Sequence, residues 1–164
     1  MRVAGLCVEL PTRARPLVRL VVIDDVSGTP AIVACEPYPG QDADLATQLH
    51  NAAEAVRSRL TAFGVDRVVL RRADRPPRPT NEDGPRVRLL VEGAVASAAR
   101  SVVFDTRIGT GKDTGAWFGS NKKGVDQQSS AMLDSLGESR SFVEATSAAL
   151  SAIRLQVNRD APTE

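Results

Sequence analysis

The sequence predicts an α/β fold: a mixed five-stranded sheet, three antiparallel strands followed by parallel ones, covered by helices. Three observations carry that expectation. Three apolar, strand-like runs open the chain with only short turn-rich gaps between them; helical periodicity then sets in after residue 42; and short apolar runs alternate with helical stretches from there on. Composition agrees, with 42% apolar and 25% charged residues over 164 positions, the make-up of an ordinary soluble domain. A chain of this length buries roughly 70% of its unfolded surface and needs neither disulfide nor metal to hold a core.

The first runs are residues 2–10 (RVAGLCVEL), ended by Pro11, residues 17–25 (LVRLVVIDD), ended before Ser27-Gly28, and residues 31–37 (AIVACEP), ended by Pro37 and Pro39-Gly40. Gaps this short suit antiparallel pairing, because a parallel pair needs a crossover of about a dozen residues or more. From Asp42 the spacing of Leu45, Leu49, Ala53, Val56, Leu60 and Phe63 predicts an amphipathic helix ended by Gly64. Residues 67–72 (RVVLRR) read as a short buried strand, and Pro76, Pro77 and Pro79 as a loop. Asp83 as cap, Pro85 in the first turn and an Ala-rich run to Ala99 predict a second helix.

Residues 101–105 (SVVFD) read as the fifth strand. The stretch Thr106 to Gly124, with glycines at 109, 111, 115, 119 and 124, reads as one long loop, and loops longer than about 12–15 residues are usually functional or disordered. Helical patterns follow at 126–136 and, more strongly, at 139–156. This order is the layout of the ribonuclease H-like fold, expected as one domain over residues 1–157 with a polar tail at 158–164.

No run approaches the roughly 20 apolar residues of a membrane span. A single Arg precedes the first strand where a signal peptide would carry an apolar core, so the reading is a cytoplasmic protein that engages no membrane. Cys7 and Cys35 lie in apolar runs with no CxxC pattern or His/Cys cluster near them, which makes them core residues. His50, the only histidine, falls on the polar side of its helix, with no adjacent nucleophile to activate. GTGKDTG fails as a phosphate loop, since Thr106 stands where the first Gly belongs and Asp113 where Ser or Thr belongs.

Charge is uneven beneath a net +1: residues 66–90 and 106–123 each carry +3, whereas residues 124–164 hold three Arg against six acids. Two basic segments make an anion-binding face only where the fold brings them together. Within the second, Trp117 and Phe118 have three uses open to them: stacking on bases beside Lys112, Lys122 and Lys123, pinning the loop to the core, or entering a protein partner.

Several of these segments together resemble the RuvC-type Holliday-junction resolvases along nearly the whole chain. The resemblance lies in GLCVE, where the family has an apolar run ending in Asp; VDRVVLRR, where it has a strand ending in Glu; the Ala-rich helix; SVVFD; GSNKKGVDQQ, similar to its Gly-rich, Lys-containing loop; and SFVEATSAALSAI, where it carries two Asp three residues apart. The family's chemistry implies carboxylates converging on two divalent cations that activate water and stabilise a leaving oxygen. Here Glu9 keeps a carboxylate, Arg71 takes the place of the strand-ending Glu, and the last helix offers Ala145 and Ala148, or Glu144 after a small register shift. A cation at a ligand position repels metal.

Two readings follow from the resemblance. In the first, the chain is a catalytically degenerate RuvC-like subunit without a metal or other cofactor, binding DNA or RNA phosphates through Arg71, Arg72, Lys112, Lys122 and Lys123, with Trp117 stacking, or scaffolding a protein partner or a second copy. In the second, Glu9, Asp105 and Glu144 converge as a rearranged Mg²⁺- or Mn²⁺-dependent nuclease site.

Overall fold

Strand β1 (Arg2–Glu9) lies at the centre of a five-stranded sheet of order β3-β2-β1-β4-β5, described by a computed structural model over residues 1–10, 15–41, 43–74 and 83–155. β2 (Leu17–Val26) pairs antiparallel with β1, and β3 (Thr29–Pro39) antiparallel with β2. β4 (Arg67–Arg71) and β5 (Asp105–Gly109) then add in parallel. The expected mixed sheet is therefore the observed one. The β2–β3 ladder shifts register at Val22/Ile23, where Val33 is passed over and left half-exposed; such a bulge bends and twists the strand that carries it.

Helices cover both faces, which is why β1 reads as a continuous apolar run rather than an alternating one. Ala4, Leu6 and Val8 point to the side covered by α1 (Leu45–Phe63) and α2 (Asp83–Val102), meeting Val56, Leu60, Val91 and Val95. Val3 and Cys7 point the other way, into a core completed by α3 (Gly111–Phe118), α4 (Lys122–Leu136) and α5 (Val143–Arg154). α5 sits directly on β1. A Cβ on Gly5 would fall 1.9 Å from the Ala145 carbonyl oxygen and 2.4 Å from the Ala149 amide nitrogen, so a strand glycine under the Ala-rich helix sets their separation.

α1 starts as its sequence predicts, with Asp44 accepting from the Thr47 amide as N-cap and Gly64 closing it in the left-handed conformation at φ 61°. Other expectations need correction. The fifth strand is not 101–105: α2 continues to Val102, Val103 plugs the core, Phe104 is exposed beneath Arg100, and the strand begins at Asp105. The apolar residues of SVVFD belong to the close of a helix and the turn after it, whereas the true strand, DTRIG, is mostly polar because it lies at the sheet edge.

Nor is 106–124 a loop. After β5, Thr110 and Asp113 form a capping box that opens α3, Gly119 ends it at φ 83°, and Asn121 caps α4, which therefore begins at Lys122. The last helical stretch divides into a 3₁₀ turn, Arg140–Phe142, and α5. Pro11, the loop prolines 76, 77 and 79, the side chain of Asp83 and the tail 158–164 lie outside the described residues. Among the described residues, no helix is long and apolar enough to cross a membrane.

Candidate functional site

β4 is bounded by two buried arginines on the same face, and each is held differently. At its start Arg67 donates from Nε to Asp105 (2.5 Å) and from Nη1 to the carbonyls of Ala152 and Leu155 (both 2.7 Å), tying the end of α5 to the sheet. At its end Arg71 is 1% exposed, the largest fully buried side chain among the described residues. Its Nη1 and Nη2 donate to the two oxygens of Asp126 on α4 at 2.5 and 3.2 Å, and Nη2 lies 4.0 Å from Glu144 on α5. The fork thus meets a carboxylate in bidentate geometry, the strongest arrangement open to this pair.

The cluster continues through hydroxyls. Ser147 on α5 donates to Asp126 Oδ1 at 2.7 Å, and Ser129 on α4 shares a hydrogen bond with Ser147 at 2.9 Å. Glu144 and Ser147 are three residues apart on α5, so this register, not that of Ala145 and Ala148, faces the end of β4; both alanines are buried in the core. Cys7 is the β1 residue in register with Arg71. Burial pushes its thiol up to about 12, with Glu144 and Glu9 adding to the shift, so it stays a neutral thiol at physiological pH. Burial works to lower the pKa of Arg71, but the hydrogen bond and attraction to Asp126, with Glu144 and Asp74 behind it, outweigh burial and raise it.

The two basic segments do come together at this end of the sheet. Gly111 leaves room for both Arg71 and Lys122: a Cβ there would lie 2.9 Å from Arg71 Nη2 and 2.8 Å from Lys122 Cδ. Lys122 is paired with Asp74, which also accepts from the Gly111 amide at 3.1 Å. Arg72, Lys112, Lys122 and Lys123 are all exposed; Lys122 meets Arg71 across Gly111, and Arg72 and Lys112 both act on Asp113. Asp74 and Asp113 are interleaved with them. The Lys122 hydrogen bond holds Asp74 below the ordinary carboxylate range, and the Thr110 amide and hydroxyl do the same for Asp113. Asp24, Asp44 and Asp134 are lowered likewise by Arg2, Thr47 and Arg140.

These shifts have a pH consequence. A carboxylate whose folded pKa is depressed stabilises the fold fully above its unfolded value, about 4, and withdraws that support as pH falls through the lower folded value. Thermal melts between about pH 7 and pH 2 are therefore expected to show this contribution intact down to about pH 5 and lost progressively as pH falls from about 4 through the lower folded values.

Of the three acids expected to converge, the structure separates one. Asp105 begins β5 rather than ending a strand, pairs with Arg67, and so lies at the opposite end of the sheet, about 20 Å from Glu9 along the strands. Glu9 ends β1 on the same side as Arg71, but its two oxygens accept from Arg19 at 3.0 and 3.1 Å. Arg19 is in turn stacked over Phe142, 5.0 Å from the ring centre. Among the described residues no group of three or more His, Cys, Asp or Glu is placed to hold a metal ion. With a full positive charge at its centre, the donor set Cys7, Asp126, Glu144 and Ser147 does not fit a pair of divalent cations.

The long-loop aromatics also divide. Phe118 is buried beneath Arg154, and Trp117 is half-buried against β5 in a cavity away from the lysines. Sequence reasoning missed Asp126, Ser129 and Ser147. Asp126 follows Lys122 by one helical turn, a detectable spacing, but nothing in the sequence aims it at Arg71. The serines stand out only as small polar residues within buried helical stripes.

A central β1 flanked by an antiparallel β2–β3 hairpin and parallel β4 and β5, with helices on both faces, defines the ribonuclease H-like fold, in its RuvC form. The Thermus thermophilus RuvC structure is similar at a TM-score of 0.70 and 16% identity, over 94% of each chain. T. thermophilus RuvC in complex with a Holliday junction substrate is similar at 0.67 and 15% identity, again over 94% of each. No protein-family model matches the sequence, and no curated protein matches it.

Proposed function

We propose that this chain is a non-cleaving, nucleic-acid-binding member of the resolvase-like folds, contacting phosphates through Arg72, Lys112, Lys122 and Lys123. The observation that carries this reading is the Arg71–Asp126 pair: a guanidinium, closed off by a bidentate carboxylate, sits where a two-metal cleavage site would need a cavity lined by acids. Arg71 itself is too deeply buried to meet a phosphate. Its part is to hold α4 and the end of β4 together so that Lys122 and Lys123, at the start of α4, stand beside Arg72 and Lys112. Branched DNA is the first ligand to test, since the T. thermophilus RuvC of the same fold was captured with a Holliday junction.

The test is a salt titration of affinity for branched, duplex and single-stranded DNA and RNA. Each phosphate contact adds close to one unit to the slope of log affinity against log salt. Wild type is expected to show a slope of roughly 3 to 4 and the Lys122→Glu/Lys123→Glu variant at least tenfold weaker binding with a shallower slope. A flat response in both overturns nucleic-acid binding and leaves a protein partner. Mg²⁺- or Mn²⁺-dependent cutting that Glu9→Ala abolishes overturns the non-cleaving reading.

A further inference from the structure

Away from the Arg71 cluster, a surface cavity of about 570 Å³ opens between β5, the end of α3 and the end of α5, walled by Arg107, Ala116, Trp117, Phe118, Arg154 and Leu155. Its size falls in the range of small-ligand sites. Among the described residues its wall carries two guanidiniums and no carboxylate. The groove along α4, by contrast, sets Lys122, Lys123 and Arg140 against Asp126 and Asp134, and the one beside α2 sets Arg72 and Arg88 against Asp74 and Glu92.

The acid in reach of Arg107 is Asp105, already held by Arg67 at 2.5 Å and 3.5 Å from Arg107 Nε. Arg154 is fixed by stacking on Phe118, 4.3 Å from the ring centre, and by one 3.2 Å bond from Nη1 to the Phe118 carbonyl. That leaves most of its five N–H donors for a ligand. The negative end of α3 points here, but the Gly115, Ala116 and Phe118 carbonyls are engaged by the Ser120 and Gly119 amides and by Arg154. Trp117 supplies a rigid aromatic wall. Its ring lies so close over β5 that a Cβ on Gly109 would fall 2.5 Å from Cη2.

We propose that this cavity binds a nucleotide unit, its phosphate between Arg107 and Arg154 and its base against Trp117. Charged forks suit a phosphate, and an anchored indole offers a base a face whatever its identity. A free nucleotide and a nucleotide within a single strand share this chemistry. The site uses neither Arg71 nor the lysines of the proposed phosphate-binding surface, so the two readings stand or fall separately.

Trp117 is the only tryptophan, so its fluorescence reports the site directly. The full chain is titrated with adenosine 5′-monophosphate, with inorganic phosphate and with a single-stranded thymidine decamer. A saturable change with the monophosphate identifies a free-nucleotide site; one with the decamer alone identifies a strand site. Either is expected to weaken at least tenfold in Arg107→Ala and in Arg107→Gln, which keeps side-chain length, with circular dichroism confirming the fold. Arg57→Ala, on α1 across the sheet from the cavity, is expected to leave the signal unchanged. No saturable change up to about 5 mM of either nucleotide probe, an unaltered response in both Arg107 variants, or phosphate binding as tightly as the monophosphate overturns the proposal.

Discussion

Replacing Asp126 with alanine is expected to destabilise the fold by about 3 kcal/mol, because it removes the bidentate partner of the buried Arg71 guanidinium and leaves Glu144, 4.0 Å away, as its nearest counter-charge. For a chain of this length that corresponds to a fall in melting temperature of roughly 10 °C. Asp126→Asn, which keeps an acceptor for Arg71 and for Ser147, is expected to lose less. The double variant Arg71→Met/Asp126→Leu is expected to recover most of the loss, since a buried ion pair is often replaced by apolar packing at little net change. Thermal or urea unfolding of these proteins together with the Arg71→Met and Asp126→Leu single variants measures the coupling. Additive losses in the double variant would show that the two side chains are not energetically joined.

Gly5→Ala is expected to be worse tolerated than most core substitutions, with a loss of about 3 kcal/mol or more or a failure to accumulate folded protein. The reason is the identity of the obstructing atoms. The added methyl would meet main-chain atoms of Ala145 and Ala149, and a helix backbone cannot rotate aside as a side chain can. Relief requires α5 to lift from β1, which would also pull Ser147 from Asp126 and the Ala152 and Leu155 carbonyls from Arg67. Near-ultraviolet circular dichroism and urea unfolding check this; wild-type stability in Gly5→Ala would contradict the packing described here.

The sheet was legible because β1, β2 and β4 are rich in Val, Leu and Ile and β3, thinner in them, follows β2 across a short Ser-Gly turn, with turn residues or helical periodicity marking where each stops. The fifth was misplaced by three apolar residues, Val102, Val103 and Phe104, whose β-forming character was overridden by the continuing packing of α2. The glycines between 109 and 124 disguised two helices. Their true signals were short and polar: the Thr110/Asp113 box, the Asn121 cap and a left-handed Gly119.

The site was half legible. Arg71 stood out as a cation in an acid's position, and the sequence brought Lys122 and Lys123 to the same neighbourhood by resemblance. Its partner did not stand out, because which acid answers a buried guanidinium depends on how α4 lies across the strand ends, a tertiary fact with no local signature. Misplacing β5 by four residues also displaced Asp105 by the length of the strand, which is how a carboxylate bound to Arg67 came to be set beside Glu9.

The margins of the sheet bear on how the molecule behaves in a crowd. β3 carries Pro30, Pro37 and Pro39 together with the irregularity at Val33, so its outward side offers an interrupted row of donors on a twisted ribbon. The opposite margin, β5, is only five residues long. Neither border offers an incoming strand a long, flat template, and open-ended stacking of one copy on the next is discouraged on both sides.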